Sequence, residues 1–207
     1  MTTFTDPAET WNRRFTGAGD GFLFGREPNA WLRRHAAWPP GARVLCVADG
    51  EGRNSVWLAR QGLQVDAFDI AEAGVRKARA LAAEAGVTVR YDVADVDGWA
   101  WPEATYDGVA AIFVQFADPA LRARMFAHMQ RCLKPGGLLL LHGYTPQQLV
   151  YRTGGPGQVE HLYTEPLLRE AFAGMEILHL EAYEDDLAEG AGHHGRSALI
   201  GLVARRP

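Results

Sequence analysis

The residues whose types and spacing can do chemistry begin in one stretch, Arg43 to Ala59, which reads RVLCVADGEGRNSVWLA. An apolar run breaks there into a glycine turn and then into a helical pattern. Gly50 and Gly52 let the backbone turn sharply and approach a ligand with no Cβ in the way. Asn54 opens the helical pattern, whose first N–H groups lack partners and face a bound group. Asp69 closes a second apolar run, QVDAFD, nineteen positions beyond Gly50. An acid at the end of a second strand, about 20 residues past such a turn, accepts hydrogen bonds from ribose hydroxyls. The chemistry indicated is the cradling of a nucleoside-type group.

Further candidates follow along the chain. Asp92 and Asp95 lie in the turn after a short third run. A carboxylate is acceptor-only and can take the amino hydrogens of an adenine, while the backbone N–H of Val96 serves a ring nitrogen; Asp95 is the better placed of the two acids. Phe113 and Gln115 stand at the end of YDGVAAIFV, and ligands of open α/β sheets sit outside the carboxyl ends of the strands. Arg26, in FLFGREPN, can meet an anion. GYTPQQLVYRTGGPG breaks regular structure for some fifteen residues, long for a connection in a compact domain, and carries Tyr144, Tyr151 and Arg152. His193 and His194, in DDLAEGAGHHGR, are candidate bases.

The elements that position these residues alternate between strand and helix. Strands are expected at Val44–Val47, Gln64–Asp69, Thr88–Tyr91, Tyr106–Val114, within Leu133–His142, at Met175–Tyr183 and at Ser197–Ala204. Helices are expected at Asn54–Gln61, Ala71–Ala85, from Asp118-Pro119 to about Leu133, and at Thr164–Phe172. Residues Thr10 to Trp38 are aromatic and basic together (Trp11, Phe15, Phe22, Phe24, Trp31, Trp38 among Arg13, Arg14, Arg26, Arg33, Arg34). They read as an arm, with Pro28 opening a helix to about Ala37 and Phe22 to Asn29 as a lid. Residues 1–207 are expected to form one domain, this arm followed by a core from residue 41. A net charge of −4 with no long Lys/Arg run points away from nucleic acid and acidic lipid as partners. Two cysteines, Cys46 and Cys132, make neither a disulfide framework nor a metal-ligand spacing, so no metal is expected and a reducing cytoplasm is the default. MTTFTDPAET lacks a basic region followed by an apolar one, and no apolar run approaches the ~20 residues of a membrane span. The sequence leaves monomer and homodimer both open.

The pieces VLCVADGEGRN, then AFD, then LKPGG before an apolar strand resemble class I S-adenosylmethionine-dependent methyltransferases. GEGRN-S-x-W-L-A looks most like the small-molecule subgroup that includes tellurite-resistance and thiopurine-type enzymes. The resemblance implies a Rossmann-like, doubly wound α/β fold, with a seven-stranded sheet ordered 3-2-1-4-5-7-6, the last strand antiparallel and helices on both faces. It implies S-adenosyl-L-methionine as cofactor, left as S-adenosyl-L-homocysteine. Ala48, Asp49, Gly50, Gly52, Asn54, Asp69, Ile70, Asp95, Val96 and Phe113 are the expected cofactor ligands. Arg26, Gln115, Tyr144, Tyr151 and Arg152 are expected to meet a small-molecule acceptor. The chain departs from the family's first motif in having Cys46 and Ala48 where an acid and a glycine are usual, and Asp49 is the carboxylate expected to answer the cofactor's ammonium and sulfonium.

Methyl transfer from a sulfonium is an in-line displacement, so positioning and exclusion of water are the main tasks. For a thiol or other soft anion, Arg26 or Arg152 would favour the ionised form. For a hydroxyl or amine, His193 or His194 would act as base. Two other readings remain at this level: a cofactor-binding protein without activity, and a nicotinamide-dependent oxidoreductase, since GEGRNS nearly matches the dinucleotide fingerprint.

Overall fold

The computed structural model describes residues 6–207. Seven strands form one sheet: β1 (Arg43–Val47), β2 (Gln64–Asp69), β3 (Val89–Val93), β4 (Tyr106–Ile112), β5 (Leu133–Tyr144), β6 (Glu176–Glu189) and β7 (His193–Arg205). Their order is β3-β2-β1-β4-β5-β7-β6. The first five are parallel and β7 runs antiparallel between β5 and β6. Among the described residues seven α-helices accompany them: α1 (Pro7–Gly17), α2 (Ala30–His35), α3 (Arg53–Arg60), α4 (Glu72–Glu84), α5 (Pro119–Cys132), α6 (Gln148–Tyr151) and α7 (Glu165–Ala171).

The period of two in β1 divides the core. Val44 and Cys46 pack with Trp31, Val56, Leu58, Val75, Ala78 and Leu81 from α2, α3 and α4. Leu45 and Val47 face the other way, onto Met125, Phe126 and Met129 of α5 and Leu168 of α7. Burial on both faces is why β1 and β4 read as continuous apolar runs. α5 begins at the anticipated place because the Asp118 carboxylate accepts the Leu121 N–H at 2.8 Å ahead of Pro119.

Three expectations need correction. The arm holds a full helix, α1, started by Asp6, whose carboxylate accepts the Ala8 N–H at 2.9 Å. α2 starts at Ala30 and not at Pro28, because Asn29 caps it by accepting the Leu32 N–H at 3.1 Å. DDLAEGAGHHGR is no loop: β6 and β7 run on as a hairpin to the pair Glu189 and His193, so only Gly190–Gly192 turn.

Candidate active site

β1 leads into the turn that organises the site. Ala48 and Gly50 take left-handed backbone angles (φ 49° and 61°), and the Gly50 N–H donates to Asp69 Oδ2 at 2.9 Å, tying the turn to the end of β2. The other Asp69 oxygen accepts the Ala71 N–H at 2.8 Å, at the start of α4. Beside this turn, at the carboxyl ends of β1, β2 and β4, lies a cavity of about 520 Å³. Ala48, Asp49, Gly50 and Asn54 line one wall, Asp69 and Ile70 the next, Asp95 and Val96 a third, and Phe113 the end of β4. These nine were expected at a cofactor site. Gly52 was too, but it stands outside the cavity: a Cβ there would lie 2.7 Å from that of Ala78, so its role is the close approach of α3 to α4.

α1 closes the site. Trp11, Arg14 and Phe15 line the cavity with Phe24 of the following strap. Phe15 reaches the glycine turn, where a Cβ on Gly50 would sit 3.2 Å from its ring. Two polar staples hold the arm down. Lys77 Nζ donates to the Phe15 and Gly21 carbonyls at 2.8 and 2.7 Å and pairs with Glu51 at 2.9 Å, while Glu51 accepts the Leu23 N–H at 2.7 Å. The lid is therefore mainly α1, where the sequence had pointed to Phe22–Asn29. Arg14 lies over the rings of Trp11 and Phe24 and makes no ion pair among the described residues.

The substrate candidates divide. Tyr144 and His193 meet at the far end of the cavity with Phe113, whose left-handed backbone (φ 56°) sets its ring 4.7 Å from that of Tyr144 and 4.2 Å from that of His193. Gln115 also borders the cavity, but its amide is consumed by the backbone. It donates to the Tyr144 and His161 carbonyls at 2.9 and 3.1 Å and accepts the Tyr144 N–H at 2.6 Å, so the amide clamps the backbone beside the cavity. Arg26 is outside, paired with Glu84 at 2.5 Å on the surface. Tyr151 is also outside; Glu184 beside it raises its phenol, against the opposing pull of Arg196. Arg152 lines a separate hollow next to Gly154–Gly157, and His194 is exposed with its side chain away from the cavity.

What the sequence did not reveal is the ionic group behind His193. Arg53, the first residue of α3, is buried and pairs with Glu189 at the end of β6 at 2.8 Å. The other Glu189 oxygen accepts from the Asn29 side chain at 2.9 Å, and His193 Nδ1 lies 3.8 Å from the carboxylate. Burial would raise the Glu189 carboxyl, but His193 and Arg53 outweigh it and hold the group down at about 2. Burial lowers His193, so its ring is neutral near pH 7. Arg53 stands in the glycine motif itself, yet no local signal ties it to a partner on β6.

Two carboxyls on the cavity wall move the opposite way. Burial lifts Asp49 to about 7 and Asp69 to about 6. Ser55, at the start of α3, donates its hydroxyl in a short hydrogen bond to Asp49 and its N–H at 3.3 Å, and itself contacts the Tyr91 hydroxyl at 2.8 Å. Cys46, also on the wall, is a buried thiol pushed up by its surroundings, so it carries no charge. Among the described residues no cluster of three His, Cys, Asp or Glu side chains is placed to hold a metal ion, and no helix is long and apolar enough to cross a membrane.

Residues 44–137, which run from β1 into the start of β5, match the family described as methyltransferase domain. Among curated proteins, the ubiquinone biosynthesis O-methyltransferase of Xanthomonas axonopodis pv. citri is 41% identical over 106 residues, 50% of this chain and 43% of that one. The chain thus spans less than half the length of the curated relatives it matches. Among solved structures, one concerning conversion of a disulfide bond into a thioacetal group during echinomycin biosynthesis superposes with a TM-score of 0.76 at 16% identity, over 97% of this chain and 92% of that one. TehB from Haemophilus influenzae superposes with a TM-score of 0.69 at 18% identity, over 86% of this chain and 61% of that one. Nothing in these likenesses supports a nicotinamide-dependent enzyme. The match over residues 44–137 and the strand order of the sheet make the part of the chain from β1 into β5 similar to methyltransferase domains.

Proposed function

We propose that the chain binds S-adenosylmethionine along the 520 Å³ cavity and transfers its methyl group to a small-molecule acceptor admitted at the Phe113–Tyr144–His193 end. The observation that carries this is the order of charges along the wall. Arg14, without an ion-pair partner among the described residues, suits the cofactor's carboxylate. Asp49 and Asp69 beside the glycine turn suit its ammonium and ribose, and each Asp69 oxygen keeps a lone pair beyond the backbone N–H it accepts. Asp95, whose Oδ1 accepts the Gly98 N–H at 2.5 Å, offers its second oxygen to the adenine beside the Val96 N–H. Bound there, the cofactor supplies an electrophilic methyl on a sulfonium. The chain's own residues hold the acceptor in line with it and exclude water: Trp11, Phe15 and Phe24 roof the cavity, and Phe113 walls its end.

A soft thiol acceptor loses the support that the sequence offered, because Arg26 and Arg152 do not reach the cavity. The O-methyltransferase relative is consistent with an oxygen acceptor. Calorimetric titration with S-adenosylhomocysteine, followed by transfer from labelled S-adenosylmethionine to hydroxyl, thiol and amine acceptors, tests the reading. Binding and turnover are expected; absence of binding refutes it.

The raised carboxyls give a pH signature. An acid whose folded pKa stands above its unfolded value holds its proton more tightly folded than unfolded. Its contribution to stability is full below the ordinary 3.8 and is lost as pH rises through about 7 for Asp49 and about 6 for Asp69. A cationic cofactor favours the ionised carboxylates, so its binding is expected to release protons at pH 6 and none at pH 8.5. Titrations at each pH in two buffers of different ionisation enthalpy measure this. Asp49→Asn should remove the part of the release that persists above pH 6.5. Equal heats in both buffers at pH 6 would show that neither carboxylate faces the cation.

A further inference from the structure

We infer that His193, oriented by Glu189, is the general base that takes the proton from a hydroxyl acceptor, and that the acceptor class is therefore a neutral alcohol or phenol. This rests on the cofactor occupying the cavity as proposed above. His193 is 7% exposed and borders the cavity. Its Nδ1 is buried, has no hydrogen-bond partner among the described residues and lies 3.8 Å from Glu189 Oε2, the oxygen that Arg53 holds at 2.8 Å. That leaves Nε2 to face the cavity. A small rotation of the imidazole brings Nδ1–H onto the carboxylate, and catalytic hydrogen bonds are commonly long in the free enzyme. With Nδ1 as donor, the neutral tautomer carries its lone pair on Nε2, the form a base requires.

A second observation stands apart from the dyad. The Tyr144 hydroxyl is buried at the same end of the cavity with no hydrogen-bond partner among the described residues, its ring 5.7 Å from that of His193. An orphaned phenol is costly unless something meets it, and an acceptor oxygen shared with His193 Nε2 satisfies it. The remaining surroundings are aromatic: Phe24 lies 4.5 Å and Phe113 4.2 Å from the imidazole, ring centre to ring centre. Aromatic faces of this kind suit a flat apolar body carrying the hydroxyl.

In the step this implies, the acceptor oxygen attacks the methyl carbon. The O–CH3 bond forms as the S–CH3 bond breaks, the bonding pair stays on sulfur as a thioether, and the hydroxyl proton passes to His193 Nε2. The resulting imidazolium is met by Glu189. The charged and titratable groups facing His193 are Glu189 from β6, Arg53 from α3, Arg14 from α1, and His142 and Tyr144 from β5. The cations among them and burial disfavour the imidazolium, and Glu189 is the group that offsets this.

The test compares wild type, His193→Asn and Glu189→Gln with phenol, catechol and thiophenol as acceptors, alongside titration with S-adenosylhomocysteine and a thermal melt of each. His193→Asn is expected to bind S-adenosylhomocysteine within about 3-fold of wild type. Its kcat for phenol and catechol should fall about 10²–10⁴-fold, while thiophenol, ionised without help at pH 8, should change less than about 5-fold. Wild type should show an acid limb below the ordinary 6.5 of histidine, absent from His193→Asn and moved to lower pH in Glu189→Gln. Imidazole added to His193→Ala should restore phenol methylation at least about 10-fold, a readout that a merely structural histidine would not give. Hydroxyl methylation that survives His193→Asn within a few-fold, or wild-type transfer confined to thiophenol, overturns the inference and leaves the methyltransferase reading intact. No binding of S-adenosylhomocysteine by wild type overturns both.

Discussion

Replacing Arg53 by methionine is expected to lower stability by about 3–5 kcal/mol, the cost of removing one partner of a buried ion pair. For a chain of this size that corresponds to a melting temperature about 6–20 °C lower. The side chains of Arg53 and Glu189 are only 7% and 11% exposed, so water cannot take over from the guanidinium. What remains beside Glu189 is the Asn29 amide at 2.9 Å, the Ala30 N–H at 3.4 Å and His193 at 3.8 Å. Arg53 now disfavours the imidazolium; without it, Glu189 would raise the histidine's folded pKa. Burial and Arg53 hold the histidine below its unfolded value in the wild type, a cost to stability that appears as pH falls below the ordinary 6.5, and removing Arg53 lessens that cost. The variant should therefore be less damaged at pH 6 than at pH 8. Urea melts at both values measure this, and a loss below about 1 kcal/mol at pH 8 would mean that the pair is solvated. The consequence extends to the site, since Asn29 caps α2 and Glu189 ends β6: one carboxylate joins the strap, the first turn of α3 and the hairpin.

Gly201→Ala is the second large effect, at about 3 kcal/mol. A Cβ placed on Gly201 falls within the indole of Trp31, and neither side can yield. Gly201 is paired in register with His142 on one side and Glu181 on the other. Trp31 is 1% exposed, with the His35 ring 4.0 Å, His142 5.7 Å and Tyr183 5.8 Å from its own. α2 must lift from the sheet, carrying the strap that lines the cavity. Thermal denaturation should show the loss, and Trp31→Leu in the same chain should recover part of it, with a coupling of about 1–3 kcal/mol between neighbours in contact. Additive losses in the double variant would show that the indole does not seat on Gly201.

The nucleotide-facing half of the site was legible because its signals are local. Glycines that turn the chain, an acid closing β2, and apolar strands of period two lie within short windows. Hence Ala48, Asp49, Gly50, Asn54, Asp69, Ile70, Asp95, Val96 and Phe113 share one cavity. Gly52 had the same local signature but a packing purpose, since a glycine needed for ligand approach and one needed for helix approach look alike in sequence. Arg26, Tyr151 and Arg152 were chosen for chemistry and mobility, yet each finds surface surroundings that only the folded chain supplies. Gln115 was rightly placed at the end of β4, but its amide is spent on the Tyr144 backbone.

By itself the sequence determined the alternation of strands and helices, the turn after β1 and the acids that follow it, because backbone preference and burial period act over a few residues. With the family resemblance it carried the strand order as well. Only the tertiary structure decided that α1 roofs the cavity, that Arg53 and Glu189 form a buried pair behind His193, and that Tyr144 is left with an unanswered hydroxyl. Those contacts join residues far apart in the chain. A buried charge or hydroxyl is defined by what surrounds it, and no spacing along a sequence records that.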